Sequence, residues 1–319
     1  MQPPLTSDCS LIVPVYRNEA NIPSLLQAID GMQRQLGPGF EAVFVVDGSP
    51  DASHERLAEL LPEQDFASTL VELSRNFGAF AAIRHGLGLA RGRRIAVMAA
   101  DLQEPPELAI RLLREVAQGA DVAFGVRESR SDPALSRLLS NVYWKLYRRW
   151  VIRDIPAGGV DIFAISAEVR DGLLGMSEAN SSLLAQLFWM GGQRAFVPYA
   201  RRERAIGKSA WTLRKKLSYL MDSVFSFTDL PVRLLLMLGI GGILLAIVLA
   251  ALVVIARLTG GVVVPGYAAT MLVVLFFGAF NALGLGIIGS YVWRAYENTK
   301  QRPLAIVQDQ QSFHRDSQA

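Results

Sequence analysis

Two stretches without a charged side chain limit what this chain can fold into more than any other feature. Arg233 and Arg257 bracket 23 such residues, and Arg257 and Arg294 bracket 36 more, broken by Thr259-Gly260-Gly261 and Pro265-Gly266. About 20 consecutive apolar residues cross a bilayer core as a helix. Helices of globular proteins rarely run so far uncharged, because one face must meet water. The pattern predicts a transmembrane hairpin, with helices near 232–257 and 267–293. Two buried core helices are the alternative. Composition agrees once it is placed along the chain: 51% of the 319 residues are hydrophobic, and the excess lies in the last third.

Lys and Arg orient the hairpin. Arg201, Arg202, Arg204, Lys208, Arg214, Lys215, Lys216 and Arg233 precede the first span, and Arg294, Lys300 and Arg302 follow the second. The connecting loop has only Arg257 at its edge. The positive-inside rule then puts both termini in the cytoplasm. The net charge of +3 is modest, so the basic cluster is local and suits anionic headgroups or phosphates. Residues 209–229 mix Trp211, Tyr219 and Phe225 with Arg214, Lys215 and Lys216, as in a helix lying in the interface plane. A core helix is the other reading of that segment. The start, MQPPLTSD, has neither the basic nor the apolar part of a signal peptide, so none is expected. The single Cys9 excludes an intrachain disulfide, and the scattered His54, His85 and His314 argue against a zinc cluster.

The first 200 residues alternate short apolar runs with amphipathic segments. Strands are expected at 10–15, 42–47, 69–73, 94–99 and 121–126, and helices near 21–35, 52–61, 79–91 and 105–118. Such alternation predicts an α/β fold, a mostly parallel sheet with helices on both faces. Ligands of these sheets bind outside the carboxyl ends of the strands. The residues there are Pro14, Tyr16, Arg17 and Glu19; Asp47, Gly48 and Ser49; SRNFG at 74–78; Asp101 and Gln103; and Arg127. Singly they are weak signals: Asp51, Ser53 and Glu19 equally suit helix caps. Together they crowd polar groups at one end of a sheet. No GxGxxG follows the first strand and there is no Walker lysine motif, so nicotinamide and P-loop chemistry are not expected.

Four motifs then occur in order: Val13-Pro-Val-Tyr-Arg-Asn-Glu19, Val46-Asp-Gly-Ser-Pro-Asp51, Ser74-Arg-Asn-Phe-Gly78 and Ala100-Asp-Leu-Gln-Glu-Pro-Pro106. They resemble the inverting family 2 glycosyltransferases of GT-A fold, in the subgroup that glycosylates polyisoprenyl phosphates. The resemblance continues through Arg204-Ala-Ile-Gly-Lys-Ser-Ala-Trp211, Val264-Pro-Gly-Tyr267 and Tyr296-Glu-Asn-Thr-Lys-Gln-Arg-Pro303. The QxxRW motif of processive polysaccharide synthases is not found. The domains expected are a cytoplasmic GT-A catalytic domain at 1–200, an interfacial region at 201–231, the hairpin at 232–293 and a cytoplasmic tail at 294–319.

The resemblance implies transfer of a sugar from a nucleotide-sugar donor, UDP-linked by its bacterial character, to polyprenyl (undecaprenyl) phosphate at the inner membrane. It implies Mg²⁺ or Mn²⁺ at Asp101 and Gln103, two residues apart on a segment read as extended. A polar turn before Pro105-Pro106 is the plainer reading. Pro14, Tyr16, Glu19, Asp47, Asn76 and Asp101 match donor-binding positions; Asp47 is expected at the base or ribose. Arg127, Arg137 and Asp161, with Asp101, match catalytic positions. Arg201, Arg204, Lys208 and Ser209 match the acceptor-phosphate site, and arginine suits it because its planar fork takes two oxygens. A solvated or headgroup-facing charge cluster is the alternative for these cations, and a loop acid for Asp161. A tetramer and no nucleic-acid partner are expected. The chain departs from the pattern at Ala99 and Val46, where many members carry acids. Those two positions keep a binding-only relative in view as a second reading; a membrane transport protein is a third, against which two spans without an internal charge or broken repeat argue.

Overall fold

Alternation of buried side chains along single strands explains how the chain folds. The computed structural model describes residues 7–127, 145, 147–149, 152, 154–156, 160–176, 178, 181–200, 221–259 and 266–313. Eight strands form one sheet: β1 (Ser7–Val15), β2 (Phe40–Val46), β3 (Ala67–Leu73), β4 (Gly92–Val97), β5 (Val122–Arg127), β6 (Val160–Ser166), β7 (Arg194–Tyr199) and β8 (Val307–Phe313), in the order β7-β5-β6-β4-β1-β2-β3-β8. β1 pairs in parallel with β2 and β4, β2 with β3, and β5 with β7. β6 is antiparallel between β4 and β5, and β8 is antiparallel on the outer side of β3. The sheet is mixed and mostly parallel, with helices on both faces.

The helices of this part are α1 (Ile22–Leu36), α2 (Ser53–Leu60), α3 (Ala79–Leu89), α4 (Pro106–Ala117), α5 (Ala167–Gly175) and α6 (Leu183–Trp189). α1 buries Ile22, Leu25, Leu26, Ile29 and Met32, the spacing of one helical face, and carries proline in its first turn. Its face meets Leu11, Val13, Ala42 and Phe44 on one side of the sheet. Ile12, Val43 and Val45 point to the other side, onto Ala82, Ile83 and Leu87 of α3. Successive strand residues point to opposite faces, so both faces are apolar and β2 is buried along its whole length.

Two further helices follow, α7 (Leu230–Leu258) and α8 (Tyr267–Thr299). Both are long and apolar enough to cross a membrane, and their apolar side chains are largely exposed. α8 runs six residues past the expected end of the second span. Of the interfacial region at 201–231, residues 201–220 lie outside the described residues, and 221–227 are helical. That helical segment joins α8 through Arg294 and Asp222 at 2.7 Å and through Phe225 edge-on to Tyr291. Ser223 accepts from the buried Tyr147 hydroxyl at 3.2 Å, linking the segment to the core under α3. The tail beyond α8 returns as β8, so a segment expected beyond the catalytic domain is the outermost strand of its sheet.

Candidate active site

The loops after β1, β2 and β3 converge at the carboxyl end of the sheet, and the β2 loop laces the other two together. Asp47 NH donates to the Val15 carbonyl at 2.9 Å, extending the β1–β2 pairing by one residue. Arg17, in the left-handed region at φ 56°, donates its NH to Ser49 Oγ at 2.7 Å. Asn18 NH donates to Ser53 Oγ at 3.2 Å. Glu19 and the next loop bind each other reciprocally: Glu19 NH donates to Asp51 Oδ2, and Ala52 NH to Glu19 Oε2, both at 3.2 Å. Asp51 Oδ1 also accepts from the hydroxyls of Ser49 and Ser53. Burial pushes the Asp51 carboxyl up, but hydrogen bonds from Ser49, Ser53 and two backbone amides outweigh it and hold its pKa below the ordinary value. Arg17, Glu19, Ala20, Pro23, Asp51 and Arg56 line an open depression of about 700 Å³ beside these loops.

Asp47 is buried, and both its carboxylate oxygens accept amide protons from the β3 loop, Phe77 NH at 2.7 Å and Gly78 NH at 2.8 Å. Asn76 returns the contact, its side-chain amide donating to the Asp47 carbonyl at 3.3 Å. Gly48 is required here: its φ is +53°, and a Cβ would stand 2.3 Å from the Arg75 carbonyl carbon. Of the expected donor residues, Asp47 and Asn76 are thus held against each other, and Glu19 is tied to the β2 loop through Asp51 and Ala52. Pro14 lies on β1 opposite Val45, and Tyr16 follows β1, its ring under the Arg17 guanidinium at 5.4 Å.

The Asp101 segment is built differently from the extended run read from sequence. β4 ends at Val97, and Met98 NH still donates to the Ile12 carbonyl at 3.0 Å. Leu102 then turns left-handed at φ 52°, and Gln103 NH folds back onto Asp101 Oδ1 at 3.2 Å. Both residues therefore sit in one tight turn, not two apart along a strand, because the side chain of an aspartate offers the backbone this alternative bond. Among the described residues no group of three or more His, Cys, Asp or Glu is placed to hold a metal ion. One carboxylate and one amide oxygen fit Mg²⁺ or Mn²⁺, which take hard ligands and fill remaining positions with phosphate oxygens and water. Glu104 is buried in the same turn.

Arg127 closes β5, opposite Tyr199 of β7. Asp161 follows Val160, which pairs with Val126, so its backbone lies at the same end of the sheet. Arg137, Arg201, Arg204, Lys208 and Ser209 lie outside the described residues.

Residues 10–168 match the model of the family described as glycosyl transferase family 2. The undecaprenyl-phosphate 4-deoxy-4-formamido-L-arabinose transferase of Pseudomonas paraeruginosa is 31% identical, covering 94% of this chain and 89% of that protein. The prophage bactoprenol glucosyl transferase homolog of Escherichia coli K12 is 30% identical, covering 93% and 97%. Among solved structures, glucosyl-3-phosphoglycerate synthase of Mycobacterium tuberculosis has a TM-score of 0.46 at 17% identity, over 68% of this chain and 77% of that one. The chain belongs to glycosyl transferase family 2. It is a glycosyltransferase with a mixed, mostly parallel sheet and two apolar C-terminal helices.

Proposed function

We propose that the protein transfers a sugar from a UDP-linked donor to undecaprenyl phosphate at the cytoplasmic face of a bacterial inner membrane, with inversion at the anomeric carbon. The observation that carries this reading is coverage. The two relatives named for undecaprenyl phosphate and bactoprenol match this chain across more than nine-tenths of its length, apolar helices included.

In this reading α7 and α8 span the bilayer, with both termini cytoplasmic. The catalytic domain comprises 1–200 together with the returning strand β8 and stands on the interfacial region at 201–231, and the assembly is a tetramer. Tyr16, Glu19, Asp47 and Asn76 shape the donor cradle, with Pro14 beneath it. A carboxylate can accept at several lone pairs, so Asp47 serves the cradle and a donor hydroxyl or base N–H together. Asp101 and Gln103 would hold Mg²⁺ or Mn²⁺, which neutralises the charge developing on the leaving diphosphate. The acceptor is already an anion, so no strong general base is needed. A phosphate oxygen forms the new bond to the anomeric carbon, the bond to the donor diphosphate breaks, and the electron pair leaves with the nucleoside diphosphate. Arg127, Arg137, Arg201, Arg204, Lys208 and Ser209 position the two phosphate groups, and Asp161 orients the sugar or acceptor.

The test is a donor panel of UDP-glucose, UDP-galactose, GDP-mannose and a UDP-amino-arabinose derivative. Each is supplied with undecaprenyl phosphate and either cation, and the lipid product is read by mass spectrometry. A lipid-linked sugar from a UDP donor is expected. No lipid product from any donor overturns the reading.

A further inference from the structure

The outermost strand of the catalytic sheet comes from beyond the membrane hairpin, and its inner neighbour leads into the donor cradle. β8 pairs with β3 from Phe313 opposite Ser68 to Val307 opposite Leu73. The contact continues past the strand, where Ser74 NH donates to the Ile306 carbonyl at 2.9 Å. Ser74 opens the loop whose Phe77 and Gly78 amides Asp47 holds. Ala305 and Phe77 pack against the same core cluster. The tail therefore backs the β3 loop directly.

That pairing contains a conflict. Glu72 of β3 and Asp309 of β8 stand directly opposite each other. Like charges in that position destabilise an antiparallel pair. His54, the second residue of α2, lies between them: Nδ1 is 3.9 Å from Glu72 Oε2 and Nε2 is 3.7 Å from Asp309 Oδ2. Its side chain is 16% exposed, and Nε2 is buried without a hydrogen-bond partner. Both distances exceed hydrogen-bond length, so the imidazole lies between the two carboxylates without bonding either and bears on them only through whatever positive charge it carries. Gln311 adds a donor to Asp309 from β8 itself, at 2.7 Å. The other charges nearby on α2 are Glu55 and Arg56, and Arg56 is paired with Glu59. His54 directly follows Ser53, which holds Asn18 of the β1 loop.

We infer that His54 is a positioning residue: it clasps the C-terminal strand to the sheet, and through that strand the chain beyond the membrane hairpin holds the donor cradle in shape. The inference rests on the proposed function only for its kinetic consequence. Its structural part is read without any substrate, by amide hydrogen exchange of the full-length protein in lipid nanodiscs. His54→Gln removes the imidazole, and with it any positive charge, from between the two carboxylates and leaves them facing each other. Exchange should then rise roughly tenfold in 307–313 and, with it, in 74–78. Adding Asp309→Asn removes the repulsion and should return both segments to within about twofold of wild type, while Asp309→Asn alone stays near wild type. With the working donor, His54→Gln should raise donor KM several-fold and leave acceptor KM unchanged. Unchanged exchange in 307–313 for His54→Gln removes the clasp. Faster exchange in 307–313 with 74–78 unaffected, or a double variant looser than the single, removes the coupling.

Discussion

Leu11 on β1 is 0% exposed and Leu244 on α7 is 59% exposed, yet each lies in an apolar run. The first belongs to a sheet whose faces are closed by helices. The second belongs to a helix whose apolar side chains the described residues leave largely exposed. The same side chain thus meets two solvents: the protein's own interior in one region and, by the function proposed above, lipid in the other. Burial from water stabilises at about 25 cal/mol per Å² in either case, but only the first depends on close fit. In that proposal the donor chemistry belongs to the first region, and the second brings a lipid acceptor to it.

The largest expected effect separates chemistry from anchoring. Asp101→Ala should lower transfer by about 10³-fold or more, as loss of a metal's electrostatic role does, and leave membrane extraction unchanged. Chelation with EDTA should act alike and be reversed by Mg²⁺ or Mn²⁺. Lipid-product rates beside detergent partitioning read both, and near-normal activity of Asp101→Ala would remove it from the metal site. Next comes the contrast of solvents. Leu11→Ala should cost about 2–5 kcal/mol, as a cavity in a packed core does. Leu244→Ala should cost less than about 1 kcal/mol, since lipid can fill the space it leaves. Equal shifts in thermal unfolding would break the comparison. Leu244→Arg should hinder membrane insertion by about 2.5–3.5 kcal/mol, read by a glycosylation-site insertion assay.

Within the site, Asp47→Asn exchanges a charged acceptor of two amides for a neutral one whose NH₂ half faces a donor. It should cost about 1–3 kcal/mol and raise donor KM with little change at the acceptor. The smallest effect is set by pH. The Asp51 pKa is depressed in the folded protein, so its contribution is present above the unfolded carboxylate value and is lost as pH falls through the folded one. Asp51→Asn should therefore be less stable than wild type at neutral pH and converge with it in acid. Parallel thermal curves at all pH values would contradict this.

How far the sequence could be read varied by element. β1 to β5 and the helices between them were legible to within three residues, because buried parallel strands are written as unbroken apolar runs. β8 was not legible: VQDQQSF is mostly polar, and it joins the sheet as an edge strand through backbone bonds that any composition can supply. β6 follows a glycine-rich stretch and enters antiparallel between two strands far from it in sequence. In the site, the motifs and their order were legible. The bonds from Ser49, Asp51 and Ser53 across to residues 17–19 were not, because each joins residues more than 30 apart.

The sequence by itself determined which segments avoid water, which end of the sheet is polar, and which family the motifs belong to, since each is set by local side-chain chemistry. The left-handed turn at Leu102, the engagement of Asp47 by two distant amides, and the return of the tail to the catalytic sheet were decided only by the tertiary structure. All three depend on backbone groups. Every residue carries nearly the same ones, so only the closed fold selects which of them meet.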